Sequence, residues 1–258
     1  MIHQDVAKMH KILILAKREL SAYFFSPMAY VISALFLGLV GIIFLWGLKI
    51  TFLRVELEPV FHSGAESTLR PLFNVLAYSL VVVVPLLTMR LMAEEMRSGT
   101  IETLMTAPVT DTQVILGKFL GALGLYVILL AATVVYFMLI VAFGQPDWGV
   151  AAMGYLGMLL LGATYISVGL FASTLTRHQL VAGLIGIALL AFFTAGLYLL
   201  VMALPVGAGE VLSKANMITN FADFSRGVFD TRAVVFFVSM TAFFLFISIK
   251  VLESRRWR

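Results

Sequence analysis

The chain has 258 residues, 61% of them apolar and only 12% charged, with a mean hydropathy of +1.02, a formal charge of +4 and no cysteine. Soluble domains carry about 25% charged residues, so a water-soluble globule is excluded, and with it disulfides and thiolate metal sites. A spanning helix needs about 20 apolar residues, so this length suits six spans in a single transmembrane domain, 1–258, without a separate soluble one.

The first predicted element is a helix over 5–25. Val6, Met9, Leu13, Ala16, Leu20 and Tyr23 recur at spacings of three and four, with Lys8, Lys11, Lys17 and Arg18 among them. That pattern predicts an amphipathic helix lying in the membrane interface and ending near Ser26-Pro27, with a soluble tail as the alternative. It is not a cleavable signal: Ile12–Ala16 is too short for the apolar region, and Met28–Leu48 is too long and lacks a small-residue cleavage site.

Six uncharged apolar runs follow, at 28–48, 71–89, 119–143, 148–175, 179–208 and 233–249. Thr51–Arg70 reads as an exposed polar loop. Gly209–Arg232 is mixed, its apolar Leu212, Met217, Phe221 and Phe224 interrupted by Asn216, Asn220 and Asp223, and predicts short re-entrant helices between spans five and six. Thr110-Asp-Thr-Gln113 and Thr176-Arg-His-Gln179 both fit a capping box ahead of spans three and five. Gly117-x-x-x-Gly121 predicts close helix approach, within the chain or at a dimer seam.

Charge orients the spans. With six crossings and the N-terminus inside, Lys49, Arg54, Arg70, Lys214, Arg226 and Arg232 lie outside, and the other twelve of the 18 Lys and Arg lie inside, as the positive-inside rule requires. Five spans would strand the basic tail Arg255-Arg256-Trp257-Arg258 outside. The predicted fold class is an all-α membrane protein with six transmembrane helices, N-in and C-in.

Several chemistries are missing. The six runs contain no ionisable side chain, which argues against a mid-membrane proton or ion relay. None of His3, His10, His62 and His178 lies in a run, and there is no His-Glu-x-x-His. Nor is there a Gly-x-x-x-x-Gly-Lys-[Ser/Thr] loop, so the chain cannot cradle ATP in that way. The reading is non-enzymatic, with no metal or cofactor of its own.

One segment breaks the composition around it: the connection 90–113 between spans two and three. Arg90–Glu94 and Glu94–Arg97 have the spacing of paired charges on a short helix. Gly99 suits a left-handed helix end, Ser98 or Thr100 a following cap, and Pro108 the close of a second piece. The prediction is a helix–break–helix elbow that docks a cytoplasmic partner, against the alternative of an ordinary solvated loop.

The run Glu94-Glu95-x-Arg97-x-Gly99-Thr100-Ile-Glu102-x-Leu104-x-x-x-Pro108-Val resembles the signature of ABC-2-type transporter permeases. Ser26-Pro27-Met-Ala-Tyr30, Asp111-x-x-Val-Ile-Leu-Gly117-Lys118-Phe119, Phe224-Ser-Arg226-Gly227-Val228-x-Asp230-x-Arg232 and Leu252-Glu253-Ser-Arg255-Arg256-Trp257 resemble one branch of it, that of the gliding-motility-associated and nitrous oxide reductase maturation permeases. The resemblance implies six spans, an interfacial helix, short re-entrant helices, and a coupling helix seated on a separate ATP-binding subunit that holds ATP and magnesium. A second permease copy or homologue and an accessory periplasmic or membrane subunit are further implied partners; nucleic acid is not. By that analogy Glu94, Glu95, Arg97 and Glu102 contact the ATPase, Gly99, Thr100 and Pro108 shape the elbow, and Arg177 marks a smaller second contact. The implied function is a permease subunit coupling ATP hydrolysis to export, or to work on an envelope assembly, in a bacterial inner membrane. The alternative is a non-transporting anchor that passes ATPase movements to an envelope or motility complex.

Overall fold

Backbone amides in a hydrocarbon layer have only each other to bond, so long apolar runs close into helices. They do so in the computed structural model, which describes residues 2–57, 66–100, 109–143 and 147–256. The described elements are α1 (Ile2–Phe24), α2 (Pro27–Leu57), α3 (Glu66–Thr88), α4 (Arg90–Ser98), α5 (Asp111–Phe143), α6 (Trp148–Leu175), α7 (Gln179–Ala191), a wide turn over Phe192–Gly196, α8 (Leu197–Ala203), α9 (Val206–Ser213), α10 (Met217–Ser225) and α11 (Thr231–Arg256). Among the described residues, six stretches are long and apolar enough to cross a membrane: Pro27–Gly47, Leu69–Ser98, Asp111–Ala142, Trp148–Leu175, Gln179–Ala203 and Thr231–Arg255.

The fourth span, α6, is the axis of the bundle. Helices α3, α5, α7, α10 and α11 pack on it, and 72% of its apolar window is buried, against 22% for the fifth and sixth spans. In lipid, apolar burial gives helices little reason to associate, and close contact depends on small residues. Gly154 and Gly162 supply it: a methyl group there would sit 2.2 Å from the rings of Phe73 and Tyr126 respectively. Gly117 and Gly121 of α5 do the same for α1, with 2.6 Å left to the Cβ atoms of Leu15 and Glu19. That glycine pair therefore serves packing within the chain.

The first helix turns differently from its predicted apolar stripe. At about 100° per residue, Ile12, Leu15, Ala16, Glu19 and Leu20 form the side against the α5 glycines, while Met9 and Leu13 are 64% and 57% exposed. The side that meets the glycines therefore includes Glu19 and leaves out Met9 and Leu13.

The predicted polar loop over 51–70 is shorter than expected, because α2 continues to Leu57 and α3 begins at Glu66. A helix of 31 residues extends about 46 Å, well past the hydrocarbon layer. The fifth run also differs from the expected 179–208. Its helix opens into the wide turn at Phe192–Gly196 and ends at Ala203, because Leu204 is extended ahead of Pro205. The carbonyl of Thr194, within the wide turn, accepts from the Asn216 side-chain amide. Asn216 also caps α10, its Oδ1 accepting from the amides of Ile218 (2.9 Å) and Thr219 (3.0 Å).

The Thr110–Gln113 capping box forms, with reciprocal bonds of 3.0 and 3.3 Å. The Thr176–Gln179 box does not: α7 starts two residues later than that motif requires, with His178 at its N-cap and Thr176 accepting from the His178 amide at 3.2 Å. In the segment before span six, Met217, Phe221 and Phe224 are fully buried, the two phenylalanines against Gly157 of α6. At the other end of α6, Arg255 donates to the Leu175 carbonyl at 3.0 Å, so the C-terminal helix finishes beside the end of α6.

Candidate functional site

The first helix of the predicted elbow is α4, an amphipathic helix closed by Gly99 at φ +75°; the second piece, over 101–108, lies outside the described residues. Its apolar residues Leu91, Met92, Ala93 and Met96 are buried, while Glu94 and Arg97 are exposed. Ser98 and Thr100 close the end of α4 by bonding to each other at 2.9 Å and reaching back to the Glu95 carbonyl. Glu102 and Pro108 lie outside the described residues. Arg177 is exposed in the turn between α6 and α7, both of which pack on α4.

The break ahead of α4 has a local cause. Pro85 interrupts the donors of α3, and Thr88 returns its hydroxyl to the Val84 carbonyl at 2.9 Å. Thr88 in turn fills the space over Gly169, where a methyl would sit 2.1 Å from its Oγ1. The new helix starts at Met89 with no cap of its own. Ser173, from α6, takes that role: its Oγ accepts from the amides of Met92 (3.0 Å) and Ala93 (3.1 Å) and donates to the Met89 carbonyl (2.9 Å).

Arg90 does not pair with Glu94. It turns the other way, its guanidinium 4.6 Å over the Tyr23 ring and donating to the Ser26 hydroxyl. Tyr23 itself donates to the Leu87 carbonyl at 3.0 Å. Burial pushes its phenol above the ordinary range, with Arg90 pulling the other way, so the group stays a neutral donor.

Glu95, predicted to face the partner, instead points inward. Its Oε1 is 2.8 Å from Lys118 Nζ of α5, and that ammonium is 3.1 Å from Glu19 of α1. Arg18 reaches both carboxylates from outside, at 3.3 and 3.5 Å. The Lys118 side chain is only 4% exposed, with Glu19 at 13% and Glu95 at 16%. The second oxygen of Glu95 is buried without a partner among the described residues. Lys118 lies one residue ahead of the uncharged run 119–143, about two turns into α5, which begins at Asp111.

This node joins α1, α4 and α5; its Glu19, and Ser173 beside it, were not singled out in the sequence, and Lys118 appeared there only within the Asp111–Phe119 motif. A signal exists for two of them. Lys118 follows a close-approach glycine, so it is carried into the groove that α1 fills, and Glu19 packs over Gly121, one turn further along the same seam. Of the spanning polar residues, Thr133 and Thr164 are buried and bonded to carbonyls of Leu130 and Leu160, Ser79 bonds to Leu76, and Asn74 is exposed.

The probable multidrug ABC transporter permease YbhR of Escherichia coli K12 is 28% identical over 158 residues, which is 60% of this chain and 42% of the relative. The same protein from the O157:H7 strain matches identically. The chain thus spans less than half the length of these curated relatives. The profile of the ABC-2 family transporter proteins matches residues 8–207, from the first helix through all of α4 and the first five spans. On that match the chain is a multi-pass membrane protein belonging to the ABC-2 transporter family.

Proposed function

We propose that the chain is the membrane subunit of an ATP-driven exporter of a bacterial inner membrane, with α4 as the surface that receives a separate ATP-binding subunit. The observation that carries this reading is the two-sided character of α4. Leu91, Met92 and Met96 bury against the spans, while Glu94, Arg97, Ser98 and Thr100 stay exposed beside a node that ties α4 to two other helices. A solvated loop needs no such anchorage, because exposed ion pairs contribute only about 0–1 kcal/mol each. A partner pressing on α4 would move α1 and α5 with it. Similarity to a permease described as a probable multidrug transporter favours export over a purely mechanical anchor.

Affinity purification of the tagged chain in mild detergent tests the reading. The expected result is a stoichiometric co-purifying protein with a P-loop, lost when Glu94→Lys is combined with Arg97→Glu. Undiminished capture and ATP hydrolysis by that double variant would remove α4 as the docking surface.

A further inference from the structure

We infer that Ser173 is a positioning residue, a pin that makes α4 and the adjacent end of α6 one rigid body, so that displacement of α4 is delivered first to the fourth span. The functional half of this inference rests on the coupling role of α4 proposed above; the mechanical half does not.

Thr164 of α6 shares its hydroxyl between its own helix, at the Leu160 carbonyl (3.1 Å), and α11, at the Phe237 carbonyl (3.2 Å) and the Thr241 hydroxyl (3.1 Å). Ser167 and Thr174, on the same α6, return their hydroxyls to their own helix at the carbonyls of Thr164 (2.7 Å) and Phe171 (2.7 Å). That is the ordinary solution for a hydroxyl in an apolar bundle. Ser173 instead makes three bonds to the backbone of another helix and is fully buried. The amides it accepts belong to the first turn of α4, which has no partner within its own helix and no cap from Met89. One turn earlier along α6, Gly169 seats Thr88 of the preceding helix with no space for a methyl. The joint between α3 and α4 is therefore gripped twice by the same face of α6, once by hydrogen bonds and once by shape.

The other attachment of α4 is of a different kind. Lys118 holds Glu95 through a long side chain whose ammonium is shared with Glu19, and such a contact tolerates tilting. Three short bonds to fixed backbone groups do not, since their strength falls steeply with angle. A push on α4 therefore turns α6 before it turns α5.

The chain contains no cysteine, so spin labels at Arg97→Cys and Leu175→Cys, both exposed positions, report the separation of α4 and α6 in lipid nanodiscs. The expected result is one narrow distance distribution, broadened by Ser173→Ala and left narrow by Lys118→Met. A distribution unchanged by Ser173→Ala overturns the pin. Amide exchange of the unsubstituted protein reads the same joint independently of any variant's folding. Met92 and Ala93 should exchange as slowly as amides in the middle of α6, and about tenfold or more faster in Ser173→Ala. First-turn exchange rates in the unsubstituted protein overturn it. Capture of the ATP-binding subunit is read separately, on the unlabelled chain: none overturns coupling and leaves the pin to the nanodisc result.

Discussion

The two ends of the bundle are built on opposite plans. Around α4 the helices are tied by a few directional contacts: the Lys118 ammonium between two carboxylates, the Ser173 hydroxyl on three backbone groups, and Arg90 on Tyr23 and Ser26. At the far end, Phe221 and Phe224 press onto Gly157, and Gly227 at φ +81° lies 3.1 Å from the Val150 backbone if given a Cβ. Close packing dominates the far end, with the bonds of Asn216 as its polar element, and polar contacts dominate the α4 end, with Thr88 over Gly169 as its shaped element. Polar contacts fail when one partner is removed, whereas close packing fails when volume is added.

The contrast can be broken most severely at its charged centre. Lys118→Met removes the buried cation between Glu19 and Glu95 and leaves them only the exposed Arg18, and about 3 kcal/mol of stability should be lost. Thermal unfolding in detergent measures it. The comparison sharpens when Glu19→Gln and Glu95→Gln are added: removing the three inner charges should restore most of the loss, because a neutral replacement of a buried pair is often close to neutral. If the triple variant stays as unstable as the single one, the node is held by packing rather than by charge.

A smaller effect is expected at the shaped end. Gly157→Ala would bring a methyl to 2.5 Å from the Phe224 Cβ, which is fixed to backbone and cannot swing away. About 1–3 kcal/mol should be lost, with no effect on capture of an ATPase. Below that comes Asn216→Ala, which removes the cap of α10 and the bond to the Thr194 carbonyl, at about 1–2 kcal/mol, with α10 amides exchanging faster. Least of all, Glu94→Lys with Arg97→Glu should change stability by no more than about 0.5 kcal/mol, since both side chains are exposed. A large loss of stability there would make the exposed side of α4 structural rather than a docking surface.

Much of this was legible in the chain. Six apolar runs become helices because nothing else satisfies their backbone in lipid, and Gly99, Pro205 and the Thr110–Gln113 box act within a few residues of themselves. Periodicity read the elbow as a short helix with charged and apolar sides, and α4 has both. It misread the partners of the charges. Arg90–Glu94 spacing is right for a pair on an isolated helix, yet Arg90 gains more from the Tyr23 ring and Ser26, both distant in sequence.

What the amino-acid order determined by itself is the set of local outcomes: which stretches span, where helices stop, and which residues are too small to keep neighbours apart. What only tertiary structure decided is which side chains meet. The glycines of α5 admit the side of α1 that holds Leu15 and Glu19, which brings Glu19 to Lys118, and the turn of α4 brings Glu95 to the same point. Ser173 looks like any other spanning hydroxyl until α4 arrives beside it. Local rules act over one or two turns, but a buried charge or hydroxyl is satisfied by whatever group the packing brings within about 3 Å.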